Sequence, residues 1–132
     1  MSKTYIVNTN QAREPKVESD MLKNEKCAAY YDPWKYSIDA IESNDIVFLY
    51  SNGKGIIARG IATGIPEIVD FNGDTDEEHY MNLSRFQILL RPLPASKITV
   101  QVGHKLKFNQ VVISLSHKKG IDLWQHITKY CV

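Results

Sequence analysis

"YYDPWKYSIDAIESNDIVFLYSNGKGIIARGIATG" occupies residues 30–64, and its second half decides the fold. "DIVFLY" and "GIIARGIAT" are rich in β-branched and aromatic residues, and they are joined by "SNGKG". Asn52-Gly53 offers the positive φ angles that a tight connection demands, so the stretch predicts a β-hairpin. Just ahead of it, "SIDAIES" predicts a short helix. Ser37 is placed to cap its start, Asp39 suits the positive end, and Ile38 and Ile41 form the stripe to be buried. Ahead of that helix Tyr30, Tyr31, Trp34 and Tyr36 fall within seven residues around Pro33. An aromatic cluster between polar neighbours fits either of two purposes: packing in a small core, or a surface that takes a flat ligand.

Working outward, "TYIVN" near the start is a short strand. "QAREPKVESDMLKNEK" is polar with Val17, Met21 and Leu22 on one helical face, which suggests loop plus a short helix. After the hairpin, "PEIVDFNGDTDEEHYMN" carries charge and Asn72-Gly73, and an exposed acidic loop is expected there. "RFQILLR" predicts a strand stopped by Pro92 and Pro94. "PASKITVQVGHKLKF" fits more than one state, and "QVVISLS" predicts another strand. A final helix is expected after Gly120, with Asp122 capping, Gln125 three residues on, and Leu123, Trp124, Ile127 and Tyr130 or Cys131 at helical spacing. Trp124 reads as packing. The total of five or six strands with few crossover helices predicts an α+β chain: a small curved sheet or barrel, largely antiparallel or mixed, with short helices packed on it.

The chain has 132 residues, which fits one domain over residues 1–132. The formal charge is +1, but it is unevenly spread. Residues 64–84 hold six acidic side chains and no Lys or Arg, whereas residues 85–132 hold eight basic ones and a single acid, Asp122. An anionic partner on one face is compatible with that split, as is a plain solvated surface. Cys27 and Cys131 are the only cysteines and form no CxxC or zinc spacing, so free thiols and a reducing, cytoplasmic setting are expected. No stretch reads as a leader or as a membrane span.

Motifs of catalysis are missing. The sequence contains no GxSxG, P-loop, HExxH, GxGxxG or deaminase-type signature. The four histidines are widely separated, and Asp74, Asp76 and Glu77 lack the spacing of a calcium loop. A binding role is therefore expected over catalysis, with no cofactor and no metal. An enzyme, such as a nuclease, would have to draw on Lys54, Arg59 and Tyr50 near the aromatic cluster. Flat rings suit a nucleobase, since stacking contributes about 1–3 kcal/mol per base. A methyl group on that base would add apolar area for the rings to cover. N–H groups at Ser37 and Ile38 could meet a base edge or phosphate, and nearby Asn and Ser side chains could read an edge.

The order strand, polar stretch, aromatic turn "DPWKYS", helix "IDAI", then "SNDIVFLYSNGKGIIARGIATG" resembles the EVE domains and their YTH relatives in the PUA-like superfamily. Those families place an Asp before an apolar strand, a Tyr or Phe, a polar or Gly-bearing turn, and then a Gly-apolar-x-Ala-x-Gly run. "QVVISLSHKKGIDLWQHI" is similar to their last strand and C-terminal helix. "YYDPWKYS" stands where EVE domains carry a Trp-Asp stretch. The resemblance implies a PUA-like, EVE-type mixed β-barrel with flanking short helices. It implies a module that recognises a modified, for example methylated, base in DNA or RNA, without catalysis. Carried over, Trp34 is the stacking ring. Tyr36, Ser37 and Tyr50 wall the pocket, and Asn8, Asn10 and Ser51 contact the base edge. Tyr80, Phe71 or Tyr31 could complete a cage. Lys54, Arg59, Arg85, Lys118 and Lys119 would meet phosphates, with Arg91, Lys105 and Lys107 beside them. A separately encoded effector protein would act on what is bound. The competing reading is a protein-interaction or regulatory module that uses the aromatic cluster and the acidic segment.

Overall fold

The structure, a computed structural model, describes residues 2–10 and 14–132. The first three residues of "QAREPKVESDMLKNEK" lie outside the described residues. In chain order the elements are β1 (Lys3–Asn8), α1 (Pro15–Asn24), β2 (Lys26–Tyr30), α2 (Tyr36–Asp39) and β3 (Ile46–Ser51). They continue with β4 (Gly55–Phe71), β5 (Asp74–Leu93), α3 (Ala95–Val102), β6 (Val112–Ser116) and α4 (His117–Tyr130). No helix among the described residues is long and apolar enough to cross a membrane.

All six strands form one sheet in the order β2-β5-β4-β3-β1-β6. β1 runs parallel to β3 and antiparallel to β6, and the remaining pairs are antiparallel. The sheet is therefore mixed, as expected. It is a curved half-barrel with β2 and β6 as its edges; a fully closed barrel is not formed among the described residues.

Apolar residues on both faces of the central strands explain the layering. Along β1 and β3, Tyr5, Val7, Val47 and Leu49 face one core, while Ile6, Ile46, Phe48 and Tyr50 face another. A strand buried on both sides needs an unbroken apolar run, and "DIVFLY" supplies one. The first core is closed by Met21 of α1 and by Ile38 of α2, with Ile41 just beyond it. The second is closed by Ile98 and Val102 of α3 and by Leu123 and Ile127 of α4. Each large side chain buried this way contributes about 1.5–3 kcal/mol.

Two local expectations are corrected, and a third element had drawn no expectation. The acidic segment is no loop: it forms the distal half of the β4–β5 hairpin, and Phe71 pairs with Asp74 across Asn72-Gly73. Both turn residues take positive φ, 50° and 84°, as the tightest hairpin turn requires. At the other hairpin only Gly53 (φ 84°) of the Asn-Gly pair does so, and Lys54 N–H donates to the Ser51 carbonyl at 3.0 Å, the pattern of a type II turn.

Second, α4 begins three residues before Gly120. Ser116 is its cap and accepts from Lys119 N–H at 3.3 Å. Gly120 lies inside the helix because a Cβ there would collide with the Thr4 side chain of β1. Third, β2 ("KCAAY") lacks the β-branched residues that mark a strand, and its pairing with β5 was not legible. Its Lys26 is buried, bonded to Glu78 at 2.7 Å and Asp20 at 2.9 Å, and lies 4.2 Å from the Tyr80 ring centre. Burial lowers the Lys26 pKa, but the two carboxylates outweigh it and the net shift is upward.

Candidate functional site

The ends of the parallel strands β1 and β3 hold Asn8, Asn10, Tyr50 and Ser51. The Asn8 amide is saturated by this chain: Nδ2 donates to the Phe108 carbonyl (3.1 Å) and to Asn52 Oδ1 (3.3 Å), while Oδ1 accepts from Asn10 N–H (2.8 Å). Tyr50 stacks on Phe108 with centroids 4.6 Å apart and planes 15° apart, and burial raises its hydroxyl pKa. Neighbouring Thr9 donates from Oγ1 to Glu18 Oε1 at 2.6 Å. Ser51 is 0% exposed, and its Oγ has no hydrogen-bond partner among the described residues. Phe108 is the ring that sequence reasoning missed here. It lies in an ambiguous segment with no pattern around it to mark its target.

The β2–α2 connection carries the other rings. Tyr30 and Tyr31 close on Phe71 at the tip of the β4–β5 hairpin, with centroids at 4.3 and 5.6 Å. Of the three rings left open to complete a cage, Phe71 and Tyr31 are thus joined, while Tyr80 lies over Lys26. Tyr31 donates its hydroxyl to Asp74 at 2.9 Å, which raises its pKa. The buried Tyr30 hydroxyl has no partner among the described residues and is pushed far above its ordinary range, by burial first and then by Glu78. Tyr36 meets His79 edge-on at 5.3 Å, and His79 Nδ1 lies 2.9 Å from Asp39. Trp34 and Tyr36 are each 51% exposed, so both present free ring surface.

The helix start after Trp34 is not an open donor site. α2 is a single turn in which Ser37 N–H donates to the Trp34 carbonyl (3.0 Å) and Ile38 N–H to the Lys35 carbonyl (3.3 Å). Ser37 is therefore inside the turn and does not cap it. Trp34 and Tyr36 flank the α1–α2 side of the sheet, whereas Asn8, Tyr50 and Phe108 belong to the α3–α4 side. The structure thus gathers the expected pocket residues into two groups on opposite faces, and one pocket walled by both Trp34 and Tyr50 is not formed.

The expected phosphate contacts also divide. Arg59 is 5% exposed and fully engaged. Nη1 donates to Thr128 Oγ1 (2.6 Å) and the Trp124 carbonyl (2.9 Å), while Nε and Nη2 donate to Gln87 Oε1 (3.0 and 2.6 Å). Its guanidinium lies 4.4 Å from the Trp124 ring, and burial lowers its pKa. Arg59 is a pin between β4, β5 and α4 and leaves the phosphate set. Trp124 packs at 6.3 Å from Phe48, the packing role its spacing implied. Lys54 and Arg85 are exposed. Lys118 reaches Asp122 (3.3 Å), and Lys119 Nζ donates to the Val102 carbonyl (2.6 Å). Beside the exposed indole, Lys35 is neutralised by Glu77 at 2.6 Å, and Asp74 and Asp76 lie on the same hairpin. The surroundings of Trp34 are thus acidic: they suit a flat uncharged ring and repel a phosphate.

No protein-family model matches this sequence, and no curated protein matches it. Solved structures do. The YTH domain of Mmi1 in complex with RNA superposes with a TM-score of 0.67 at 12% identity, covering 97% of this chain and 79% of that one. A second structure of YTH domain-containing protein Mmi1 with RNA gives 0.61 at 9% identity, covering 96% and 81%. Rpa0253 from Rhodopseudomonas palustris, solved by NMR, gives 0.55 at 14% identity, covering 96% and 91%. Across nearly its whole described length, this chain has the architecture of a YTH domain.

Proposed function

We propose that this protein is a non-catalytic nucleic-acid-binding module that holds a modified nucleobase on the exposed indole of Trp34. The observation that carries the reading is the fit of 97% of the chain to a YTH domain solved with RNA, together with a tryptophan left half-exposed on that frame. The Tyr36 and Tyr31 rings flank the stacked base. A methylated base gains over its parent because its extra apolar area is covered by rings and its contact needs no charge. Asn8 and Ser51, the one saturated within the chain and the other fully covered, take no part in holding the base, and exposed Lys54 and Arg85 meet the backbone of the strand. RNA is the first polymer to test, and DNA the second. Free buried thiols at Cys27 and Cys131 suit a reducing, cytoplasmic setting, and downstream action belongs to a separately encoded effector.

The test is fluorescence anisotropy of labelled single- and double-stranded oligonucleotides with and without methylated bases, against wild type and Trp34→Ala. One modified base should bind preferentially, and the variant should lose about 10-fold to 100-fold of that affinity. Equal binding of modified and unmodified strands by both proteins would refute the reading. A second reading, a protein-interaction module, draws support from the carboxylates around the rings. It predicts no oligonucleotide binding at all.

A further inference from the structure

We infer that the α3–α4 face is a purely electrostatic contact for the backbone of a nucleic-acid strand, gripped at two cationic clefts at opposite ends of the helix pair. This inference rests on the nucleic-acid reading above and assigns the strand's path. The first cleft, of about 830 Å³, lies where the start of β1, the end of β6 and the first turn of α4 meet. It is lined by Lys3, His104, His117, Lys118 and Lys119. The second, of about 480 Å³, lies where β5 runs into α3 beside the end of α4, and Arg91, Lys97, His126 and Tyr130 line it. Among the described residues no carboxylate lines either cleft.

The two clefts sit at opposite ends because α3 and α4 are antiparallel. Lys119 Nζ near the start of α4 reaches the Val102 carbonyl at the end of α3, while Arg91 N–H, before α3, donates to the Cys131 carbonyl after α4. From Lys118 to Tyr130 the helix rises about 18 Å at 1.5 Å per residue. A stacked strand, rising about 3.4 Å per nucleotide, covers that in about five. Residues 91–132 hold seven Lys and Arg against one acid, Asp122, which is bonded to Lys118. Lys118 is itself 86% exposed, and Tyr130 offers a half-exposed ring.

The opposite face, around Trp34, is acidic. Charge thus separates the two tasks, with the base held on one side and the phosphates on the other. A single small anion fills one cleft, whereas a strand long enough to bridge both gains from holding its second contact near the first.

The experiment measures anisotropy of unmodified single-stranded RNA of three and eight nucleotides from 50 to 200 mM salt. It uses wild type, Lys3→Gln/Lys118→Gln and Arg91→Gln/Lys97→Gln, with thermal melts to show that these surface variants fold. The eight-mer should bind wild type more tightly than the three-mer, and each double variant should weaken it about 10-fold. Each should also make the log K against log salt slope shallower by about 1.4, at about 0.7 per phosphate contact. Slopes unchanged in both variants, with a modified strand still lost in Trp34→Ala, would overturn the path and leave the base reading standing. Slopes that respond while modification and Trp34→Ala make no difference would do the reverse. No binding to any strand removes both. Loss of binding to anionic vesicles, without any dependence on strand length, would reassign the face to a membrane surface and overturn the inference.

Discussion

Arg59 shows how a residue type misleads when its surroundings are unknown. In sequence it stands in a hairpin beside aromatic residues and looks free to meet a phosphate. In the fold it is buried, and every one of its nitrogens donates within the chain. Removing it would break its bonds to Gln87, Thr128 and the Trp124 carbonyl and leave a gap where the guanidinium packs on the Trp124 ring between β4, β5 and α4. Arg59→Ala should therefore destabilise the protein by about 3 kcal/mol in urea unfolding. The salt dependence of any oligonucleotide binding should not change; a shallower slope with unchanged stability would return Arg59 to the phosphate set. Trp34 is the converse case. Its exposure follows from the one-turn helix beside it, whose buried face is occupied by Ile38 alone.

At the scale of elements, α4 carries the sharpest test. Gly to Ala inside a helix normally stabilises by up to about 1 kcal/mol. At Gly120 the sign should invert, because the new methyl would strike the Thr4 side chain where α4 crosses β1. Gly120→Ala should cost about 1–3 kcal/mol of overpacking, measured by thermal melting. Thr4→Ala in the same chain should restore part of it, since the hydroxyl and methyl that the new Cβ would strike are gone while the Thr4 Cβ stays close, and the buried hydroxyl has no partner among the described residues to lose. This also explains what the sequence could reveal. β1, β3, the start of β4 and β6 were legible because their apolar runs and first Asn-Gly turn are local signals. The helix faces of α1 and α4 were legible for the same reason. The long extension of β4–β5 was not, because its acidic composition outweighed a second Asn-Gly pair carrying the same turn information. β2 was hidden because its strand character comes from its partner β5 and not from "KCAAY" itself. The two-group arrangement of the site was hidden too, since which face Trp34 and Tyr50 occupy depends on layers formed by residues far away in the chain.

For the whole molecule, the two cores share one sheet, so a group buried at its centre reports on global unfolding. The Cys27 thiol, fully inside, is raised by burial from 9.0 to about 12. The folded state disfavours the thiolate, so the unfolded chain ionises first. Stability is unaffected below pH 9 and falls as pH rises from 9 to about 12. At about 1.4 kcal/mol per unit the loss approaches about 4 kcal/mol. Tyr30, held up by burial, steepens the fall above pH 10. Urea midpoints measured from pH 8 to 11 should decline, and Cys27→Ala should flatten the decline; a slope unchanged in that variant would show that the thiol is not the group responsible. The same shared sheet bears on how the chain comes off the ribosome. β1 lies between β3 and β6, pairing Ile6 with Phe48 on one side and with Ile113 on the other. Its neighbour β6 is made more than a hundred residues after it. A strand apolar on both faces must then wait until residues 112–116 have been made, exposed to wrong partners, before its second edge is closed. Slowing synthesis should therefore not help this protein fold, and a chaperone that shields the early strand should.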